Sequence, residues 1–162
     1  MTVVEILQID ESFENWDGLL ALVQDAFDYM HTRIDPPSSA LALTAEALKA
    51  KAHEEIGYAA MIDGRLVGCL FCRQQAHDTL YVGKVAVLPN LQGQGIGRAM
   101  LKAAEGVAHA CGVERLMLET RIELDNNHMR FEKWGFHKVA EKSHPGFDRV
   151  TFIQMEKRIG SA

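Results

Sequence analysis

The sequence has too few cysteines and prolines, and apolar runs too short, for several classes of protein. Three cysteines are an odd number and do not form a disulfide framework. Four prolines among 162 residues, with 48% hydrophobic residues, argue against a disordered chain and predict one globular domain over residues 1–162. No apolar run approaches the roughly 20 residues that a membrane span needs. The first residues alternate as in a strand and not as in a targeting segment, so we expect a cytoplasmic protein without a membrane partner.

The chain also has no excess of basic residues over acidic ones. The chain has 17 Lys and Arg residues against 22 Asp and Glu residues, a formal net charge of −5, and it contains no basic run. This balance offers no electrostatic footprint for a polyanion, so we expect no nucleic-acid partner.

Metal-ligand patterns are missing as well. The seven histidines never flank an acid with the spacing of a zinc-protease helix. Cys69 and Cys72 lie three apart in a strand-like stretch, which directs them to opposite faces of a sheet. We interpret both as packing residues, and we expect Cys111, beside Gly112 at a helix end, to be a small buried residue too. We therefore expect no metal site.

Hydrophobic periodicity predicts an α/β fold with a mixed sheet and helices on its faces. The dipeptide Asp63-Gly64 supplies the positive φ angles of a tight hairpin turn. Pro36 and Pro37, followed by two serines, predict a loop without a regular element. In chain order the predicted elements are β1 3–9, α1 16–30, α2 44–53, β2 55–62, β3 65–75, β4 79–88, α3 97–112, β5 114–120, α4 125–134, β6 136–141 and β7 150–156. The order is β1-α1-α2-β2-β3-β4-α3-β5-α4-β6-β7.

The stretch LQGQGIGR, between β4 and α3, has glycine at positions 93, 95 and 97. A helix N-terminus leaves backbone N–H groups unpaired at the positive end of the helix dipole. Glycines admit a ligand to these groups because no Cβ stands in the way. The pattern therefore predicts a site for a phosphate or pyrophosphate. The alternative interpretation is a tight turn that only requires flexible residues.

Two common nucleotide motifs do not fit this stretch. A P-loop would need GxxxxGK followed by Ser or Thr, and no such pair follows the glycines. A dinucleotide fingerprint would need GxGxxG, but Arg98 holds the last place counted from Gly93, and Met100 holds it counted from Gly95. A small-nucleotide phosphotransferase and a nicotinamide enzyme are therefore disfavoured.

Two segments resemble the GNAT superfamily of N-acetyltransferases. VAVLPNLQGQGIGRAML, residues 85–101, resembles the family's coenzyme-A loop, which reads Gln/Arg-x-x-Gly-x-Gly/Ala after a strand that ends in a proline turn. NHMRFEKWGF, residues 127–136, resembles the family's short helix that contains an Asn and closes on Gly-Phe. The resemblance covers about the last half of the chain. It implies a GNAT-like fold, acetyl-CoA as cosubstrate, and acetyl transfer to a primary amine by direct attack in a ternary complex.

The resemblance also implies how acetyl-CoA is held. The backbone amides of residues 92–98 cradle its pyrophosphate, assisted by the dipole of α3. The pantetheine arm lies along β4 and pairs with its backbone, although the same residues taken alone are ordinary buried strand residues. Asn127 hydrogen-bonds the arm, or alternatively caps α4. The implied cofactor-binding residues are Val85, Ala86, Val87, Gln92, Gly93, Gln94, Gly95, Ile96, Gly97, Arg98, Asn127 and Phe131.

The candidate catalytic groups follow from the same resemblance. The Val87 N–H is placed to polarise the thioester carbonyl. The acceptor amine must lose a proton, because an alkyl ammonium with a pKa of about 10.4 is almost fully charged at neutral pH. Glu119 on β5 and His128 on α4 are the candidate bases. The alternative interpretations are a solvated acid at a strand end and a half-exposed histidine at a helix start.

Position 131 departs from the family pattern. Many members have a tyrosine four residues before the Gly of Gly-Phe, and this chain has Phe131 there. The ring can still pack along the pantetheine, but the hydroxyl that would protonate the departing thiolate is missing. Water can protonate a thiolate whose conjugate acid has a pKa of about 8.5. Otherwise Tyr81 on β4 substitutes, unless it is an ordinary half-buried aromatic.

The resemblance places the acceptor between the α1-α2 segment and the β6-β7 loop. The polar groups there are Arg33, Asp35, His144 and Asp148. The acidic balance of the chain slightly favours a cationic amine over a phosphorylated acceptor, and both a small molecule and a peptide amine stay open. The alternative function is a non-catalytic module of the same fold that binds or senses an acyl-CoA. A homodimer is also open, because many relatives pair through their sheets or helices.

Overall fold

The computed structural model describes residues 3–160, which form a seven-stranded mixed sheet in the order β1-β2-β3-β4-β5-β7-β6. The strands are β1 Glu5–Gln8, β2 Ile56–Ile62, β3 Arg65–Ala76, β4 Thr79–Val87, β5 Arg115–Arg121, β6 His137–Lys142 and β7 Phe152–Arg158. The helices are α1 Trp16–Phe27, α2 Ala45–Glu54, α3 Ile96–Cys111 and α4 Asp125–Lys133. The predicted α/β fold and element order are confirmed, and none of these helices is long and apolar enough to cross a membrane.

The turn at Asp63 and Gly64 joins β2 to β3 as predicted. Both residues have positive φ, 51° and 75°, as a two-residue type I′ turn requires. Ile62 pairs with Arg65 directly beyond the turn. The turn therefore sets the register of β3, and a slip of one residue would send each β3 side chain to the other face of the sheet.

The sheet separates two apolar layers. In β3, Leu70 packs in the layer of α3, whereas Phe71 packs in the layer of α1 and α2, and both side chains are fully buried. Cys69 and Cys72 likewise lie in opposite layers, and burial raises the pKa of each thiol to about 12. The interpretation of this pair as packing residues is confirmed. The predicted burial of Cys111 is wrong, because this residue lies on the solvent side of the last turn of α3 and is exposed.

Two segments before α2 differ from the sequence-based expectation. α1 ends at Phe27, and a short 3-10 helix, Asp28–Met30, replaces its predicted last turn. A second 3-10 helix, Ser39–Ala42, lies in the proline loop, where the sequence predicts no regular element. Pro36 and Pro37 restrict their own backbone conformation but not that of the residues after Pro37. Ser38 then caps the short helix, because its side chain accepts the backbone N–H two residues further on at 3.1 Å.

The parallel strands β4 and β5 part after a short contact. Residues 79–81 pair with residues 115–117, and no further pairing joins these two strands within the described part of the chain. A bulge bends β4 where they part, since Lys84 has a φ of 51° and the register with β3 shifts between Gly83 and Ala86. β4 stays paired with β3, and β5 stays paired with β7. A gap therefore opens inside the sheet.

Candidate active site

Two cavities meet in the gap between β4 and β5. The first, about 590 Å³, extends from the gap to the N-terminus of α3 and is bordered by α4. The second, about 450 Å³, lies between β5, the proline loop and the loop that joins β6 to β7. Phe27, Val85, Asn127 and Phe131 line both cavities. The arrangement can therefore hold two ligands whose ends meet beside these four residues.

The N-terminus of α3 presents unpaired donors to the first cavity. The first hydrogen bond of the helix joins the Ala99 N–H to the Gly95 carbonyl at 3.0 Å, so the N–H groups of residues 96–98 have no acceptor in the helix. Gly95 is the N-cap and has no side chain to satisfy them. Gly93 and Gly95 have φ values of 82° and 85°, and a Cβ at either position would meet no protein atom within 4 Å. Free donors beside open space suit a phosphate.

Gly97 is required for a different reason. A Cβ at this position would lie 2.6 Å from Cη2 and 2.9 Å from Cζ2 of Trp134. The glycine therefore lets α3 pack against the end of α4, although its main chain still lines the first cavity. The missing side chain of Gly97 thus makes room for the indole ring. Its role in admitting a ligand stays a prediction.

Polar side chains tie the glycine turn to its neighbours. Gln92 Nε2 donates to the Val87 carbonyl at 3.3 Å, and Gln92 Oε1 accepts from Arg130 Nη2 at 3.2 Å. Arg98 Nη2 donates to the last carbonyl of α4 at 3.0 Å. β4, the turn and α4 are thus linked around the first cavity. Of the predicted turn residues, Gln94 is exposed and does not line this cavity.

Val85 and Val87 direct their main chain into the gap. The Leu88 N–H bonds the Val67 carbonyl of β3 at 3.0 Å, and hydrogen-bonded residues alternate along an antiparallel pair. Ala86 is the next residue of β4 that faces β3, opposite its register partner. The Val87 N–H therefore points away from β3, and Val85, inside the bulge, lines both cavities. This backbone edge can pair with an extended ligand as an added strand would.

A tyrosine with no motif around it reaches the first cavity. Tyr29, in the 3-10 helix after α1, donates its hydroxyl hydrogen to Asn127 Oδ1 at 3.0 Å. Asn127 lies inside α4, whose N-cap is Leu124, so it does not cap that helix. Phe131 follows one turn later, is 8% exposed and packs edge-on against Trp134. No local pattern reveals Tyr29, because its partner is 98 residues away in the chain.

β5 contributes three polar residues to the second cavity, Glu119, Thr120 and Arg121. Glu119 is exposed and accepts a hydrogen bond from Gln154 Nε2 at 3.0 Å. The Thr120 hydroxyl is buried and has no hydrogen-bond partner among residues 3–160. Glu119 is therefore a carboxylate open to an amine, and Thr120 offers a further polar group to a ligand.

Two arginines hold the loops around the second cavity together. The Arg121 guanidinium donates to the Pro36 carbonyl at 2.6 Å and to the Pro37 carbonyl at 3.1 Å. Arg149, from the loop between β6 and β7, donates to the Asp35 carbonyl at 2.7 Å. These bonds join the two loops that the family resemblance assigns to the acceptor.

His144 lines the second cavity, whereas Arg33, Asp35 and Asp148 of the same predicted set do not. Thr151 Oγ1 accepts the His144 backbone N–H at 2.8 Å and lies 2.5 Å from the ring Nδ1. The hydroxyl hydrogen is then available to Nδ1, which leaves the ring hydrogen on Nε2. Burial, and then the charge of a nearby guanidinium, lower the pKa of His144. The ring is therefore a neutral hydrogen-bond donor at neutral pH.

Tyr81 and His128 do not line either cavity. Tyr81 stacks on Arg73, whose guanidinium carbon lies 4.6 Å from the ring centre. Burial, followed by the charge of Glu119, raises the pKa of Tyr81 to about 12. His128 Nε2 lies 2.8 Å from the Arg121 carbonyl, which can only accept, so this nitrogen carries the hydrogen. The catalytic roles of Tyr81 and His128 stay predictions.

The fold and the site together define a class of protein. A sheet that parts beside a helix N-terminus suits a long ligand that carries a phosphate at one end and meets a second molecule at the other. Residues 16–136, more than half of the chain, match the family model described as "Acetyltransferase (GNAT) family". The chain belongs to this family.

Individual relatives agree with this assignment. Over 86 residues the chain is 28% identical to N-alpha-acetyltransferase 30 of Schizosaccharomyces pombe, and the match covers 51% of this chain and 57% of that protein. The chain thus spans little more than half the length of this relative.

Two solved structures share the fold. PaiA N-acetyltransferase from Thermoplasma acidophilum, in complex with coenzyme A, has a TM-score of 0.76 at 17% identity, over 96% of this chain and 99% of that one. A GNAT family acetyltransferase from Elizabethkingia anophelis, with acetyl-CoA bound, has a TM-score of 0.68 at 18% identity, over 96% and 98%. The predicted fold and family are confirmed.

Two alanine variants in α3 test the role of Gly97. We expect Gly97→Ala to lower the free energy of unfolding by about 1–3 kcal/mol, because the new Cβ would overlap the Trp134 ring. Gly106→Ala places its Cβ in open space in the same helix and should raise the free energy of unfolding by about 0.5–1 kcal/mol. Urea unfolding measures both variants. Equal effects would argue against a packing role for Gly97.

Proposed function

We propose that the protein transfers the acetyl group of acetyl-CoA to a primary amine by direct attack while both ligands are bound. The proposal depends above all on the continuous path from the N-terminus of α3, along residues 85–87, to the second cavity. Acetyl-CoA would supply an activated acetyl group at the end remote from its phosphates. The residues shared by the two cavities mark where acetyl group and amine would meet. The name of the yeast relative, an N-alpha-acetyltransferase, is in keeping with an amine acceptor.

Main-chain N–H groups would make most of the hydrogen bonds to the cosubstrate. The N–H groups of residues 96–98 and the dipole of α3 favour a pyrophosphate at the end of the first cavity beside this helix. The open space at Gly93 and Gly95 lets phosphate oxygens approach these donors. The Val87 N–H faces the gap, and main-chain groups of Val85 and Val87 would pair with the amides of the pantetheine arm.

Two groups would act on the reacting ends. An ammonium must lose a proton before its nitrogen can attack, and the Glu119 carboxylate, open to the second cavity, can take that proton directly or through a water. The Val87 N–H points into the gap, where it can donate to the acetyl carbonyl oxygen as negative charge develops there. Glu119 on β5 would therefore act on the acceptor, and Val87 on β4 would act on the acetyl group from the opposite side of the gap.

The departing thiolate needs a proton, and Tyr29 is our candidate for the donor. Phe131 has no hydroxyl, and Tyr81 does not line either cavity. The Tyr29 hydroxyl lies at the first cavity, where it donates its hydrogen to Asn127 Oδ1 at 3.0 Å, one helical turn from position 131. To act as the acid, the hydroxyl would turn this hydrogen from Asn127 to the sulfur, and water would then reprotonate the phenolate. A thiolate whose conjugate acid has a pKa of about 8.5 requires only a weak donor, so a phenol is sufficient.

Incubation with acetyl-CoA and a panel of amines tests the proposed activity. We expect free thiol to appear together with an equal amount of N-acetylated product, and only when acetyl-CoA and an accepted amine are both present. A chromogenic disulfide reagent follows the thiol, and mass spectrometry identifies the product. Binding of coenzyme A without thiol release for any amine would favour the alternative, a module that binds an acyl-CoA without turnover.

Gly95→Ala tests the placement of the phosphates. We expect it to weaken coenzyme A binding by about tenfold or more, because the Cβ would enter the space from which phosphate oxygens approach. Gly112→Ala is the matched control: it lies at the other end of α3 with a φ of 71° and open space around it. Both variants carry the same backbone cost of about 1–2 kcal/mol. Calorimetry with coenzyme A compares them, and equal dissociation constants would contradict this placement.

Tyr29→Phe tests the proton donor. We expect kcat to fall by about tenfold or more, with a smaller change in the KM for acetyl-CoA, because the missing hydroxyl serves the leaving group. Tyr81→Phe removes a hydroxyl of the same kind outside both cavities and should leave kcat unchanged. Steady-state kinetics of the two variants separate the roles. The opposite pattern, with loss of kcat only in Tyr81→Phe, would return the role to Tyr81.

A further inference from the structure

The second cavity carries more positive than negative charge. Lys84 and Arg121 line it against one carboxylate, that of Glu119, and His144 is neutral. This local balance is opposite to the formal net charge of −5 of the whole chain. A cationic acceptor, which the net charge favours, would meet two like charges here. The lining instead suits a ligand that brings negative charge with its amine.

Lys84 occupies an unusual place in β4. Its φ of 51° lies in the left-handed region, which costs a residue with a side chain about 1–2 kcal/mol relative to its ordinary conformation. The bulge turns the half-buried side chain toward the proline loop, where Nζ donates to Ser39 Oγ at 3.0 Å. Burial, and then the charge of Lys51, lower the pKa of Lys84. The ammonium is thus held at the cavity wall by a neutral partner.

The described part of the chain pairs no counter-ion with this ammonium. Among residues 3–160, no carboxylate lies at ion-pair distance from Lys84. Glu55 acts on it from a distance but is paired with Lys51 at 2.8 Å and lies 3.8 Å from Arg73. A half-buried charge is costly unless it is paired, so an anion that enters the cavity would be stabilised there.

We propose that the acceptor is an amine that also carries a carboxylate, and that Lys84 recognises this carboxylate. The inference rests on the proposed function, because it assigns the second cavity to the acceptor. Coenzyme A does not provide the anion, since its phosphates belong at the N-terminus of α3 and Lys84 does not line the first cavity. Glu119 then takes the proton of the amine, and Lys84 binds the carboxylate. An amino acid is the simplest acceptor that carries both groups.

A panel of amino acids, each compared with its primary amide, tests the proposal. We expect kcat/KM to be about tenfold or more higher for the acid, the range of a hydrogen bond between charged groups. Lys84→Gln removes the charge but keeps a donor for Ser39, and it should abolish the preference through KM and not through kcat. Lys84→Arg should retain it. Lys51→Gln is the matched control, because it removes a neighbouring lysine that does not line the cavity.

A binding measurement gives a readout without turnover. Calorimetry of N-acetyl amino acids and their primary amides, added to protein saturated with coenzyme A, should show tighter binding of the acids and loss of this difference in Lys84→Gln. That result would support the role of Lys84 even if no thiol release were seen and the proposed catalysis failed. Equal binding of acid and amide, no binding of either, or a preference that survives in Lys84→Gln would overturn the inference.

Discussion

The bulge at Lys84 is the constraint on which the rest of the site depends. Without it, β4 and β5 would pair along their full length, and the backbone edge of residues 85–87 would bond a strand instead of facing a cavity. The bulge bends β4 while β3 and β7 continue to support the two parted strands on their outer sides. A gap can therefore cross the middle of a stable sheet, because most backbone groups stay paired and the rest are left for a ligand.

The two ends of the gap recognise ligands by different means. The first cavity presents main-chain N–H groups from one turn and one strand, and these donors depend on backbone conformation more than on side-chain identity. The second cavity is lined by side chains from β4, β5, the proline loop and the β6-β7 loop. In the proposed reaction, recognition of the cosubstrate would thus be a property of the fold, whereas selection of the acceptor would reside in a few side chains on separate segments.

The net charge of the whole chain is a poor guide to the charges that line one cavity. The net charge of −5 describes the field far from the protein. Inside the second cavity, Lys84 and Arg121 are held by a hydroxyl and by backbone carbonyls, and within residues 3–160 neither forms an ion pair with a carboxylate. A bound acceptor is desolvated and responds mainly to these near charges. The net charge of the chain therefore favours a cationic acceptor, whereas the residues that line the second cavity favour an acceptor that also carries negative charge.

The sequence by itself determined the order of elements and the turn at Asp63 and Gly64, because these features follow from hydrophobic period and turn chemistry. The resemblance to the family's two motifs indicated more than half of the residues that line the first cavity. Of the second cavity, only Glu119 and His144 were predicted among its charged and titratable groups. Tertiary structure alone decided the contacts of Tyr29 with α4 and of Lys84 with the proline loop. The paired residues are 98 and 45 positions apart, so no local pattern encodes their meeting.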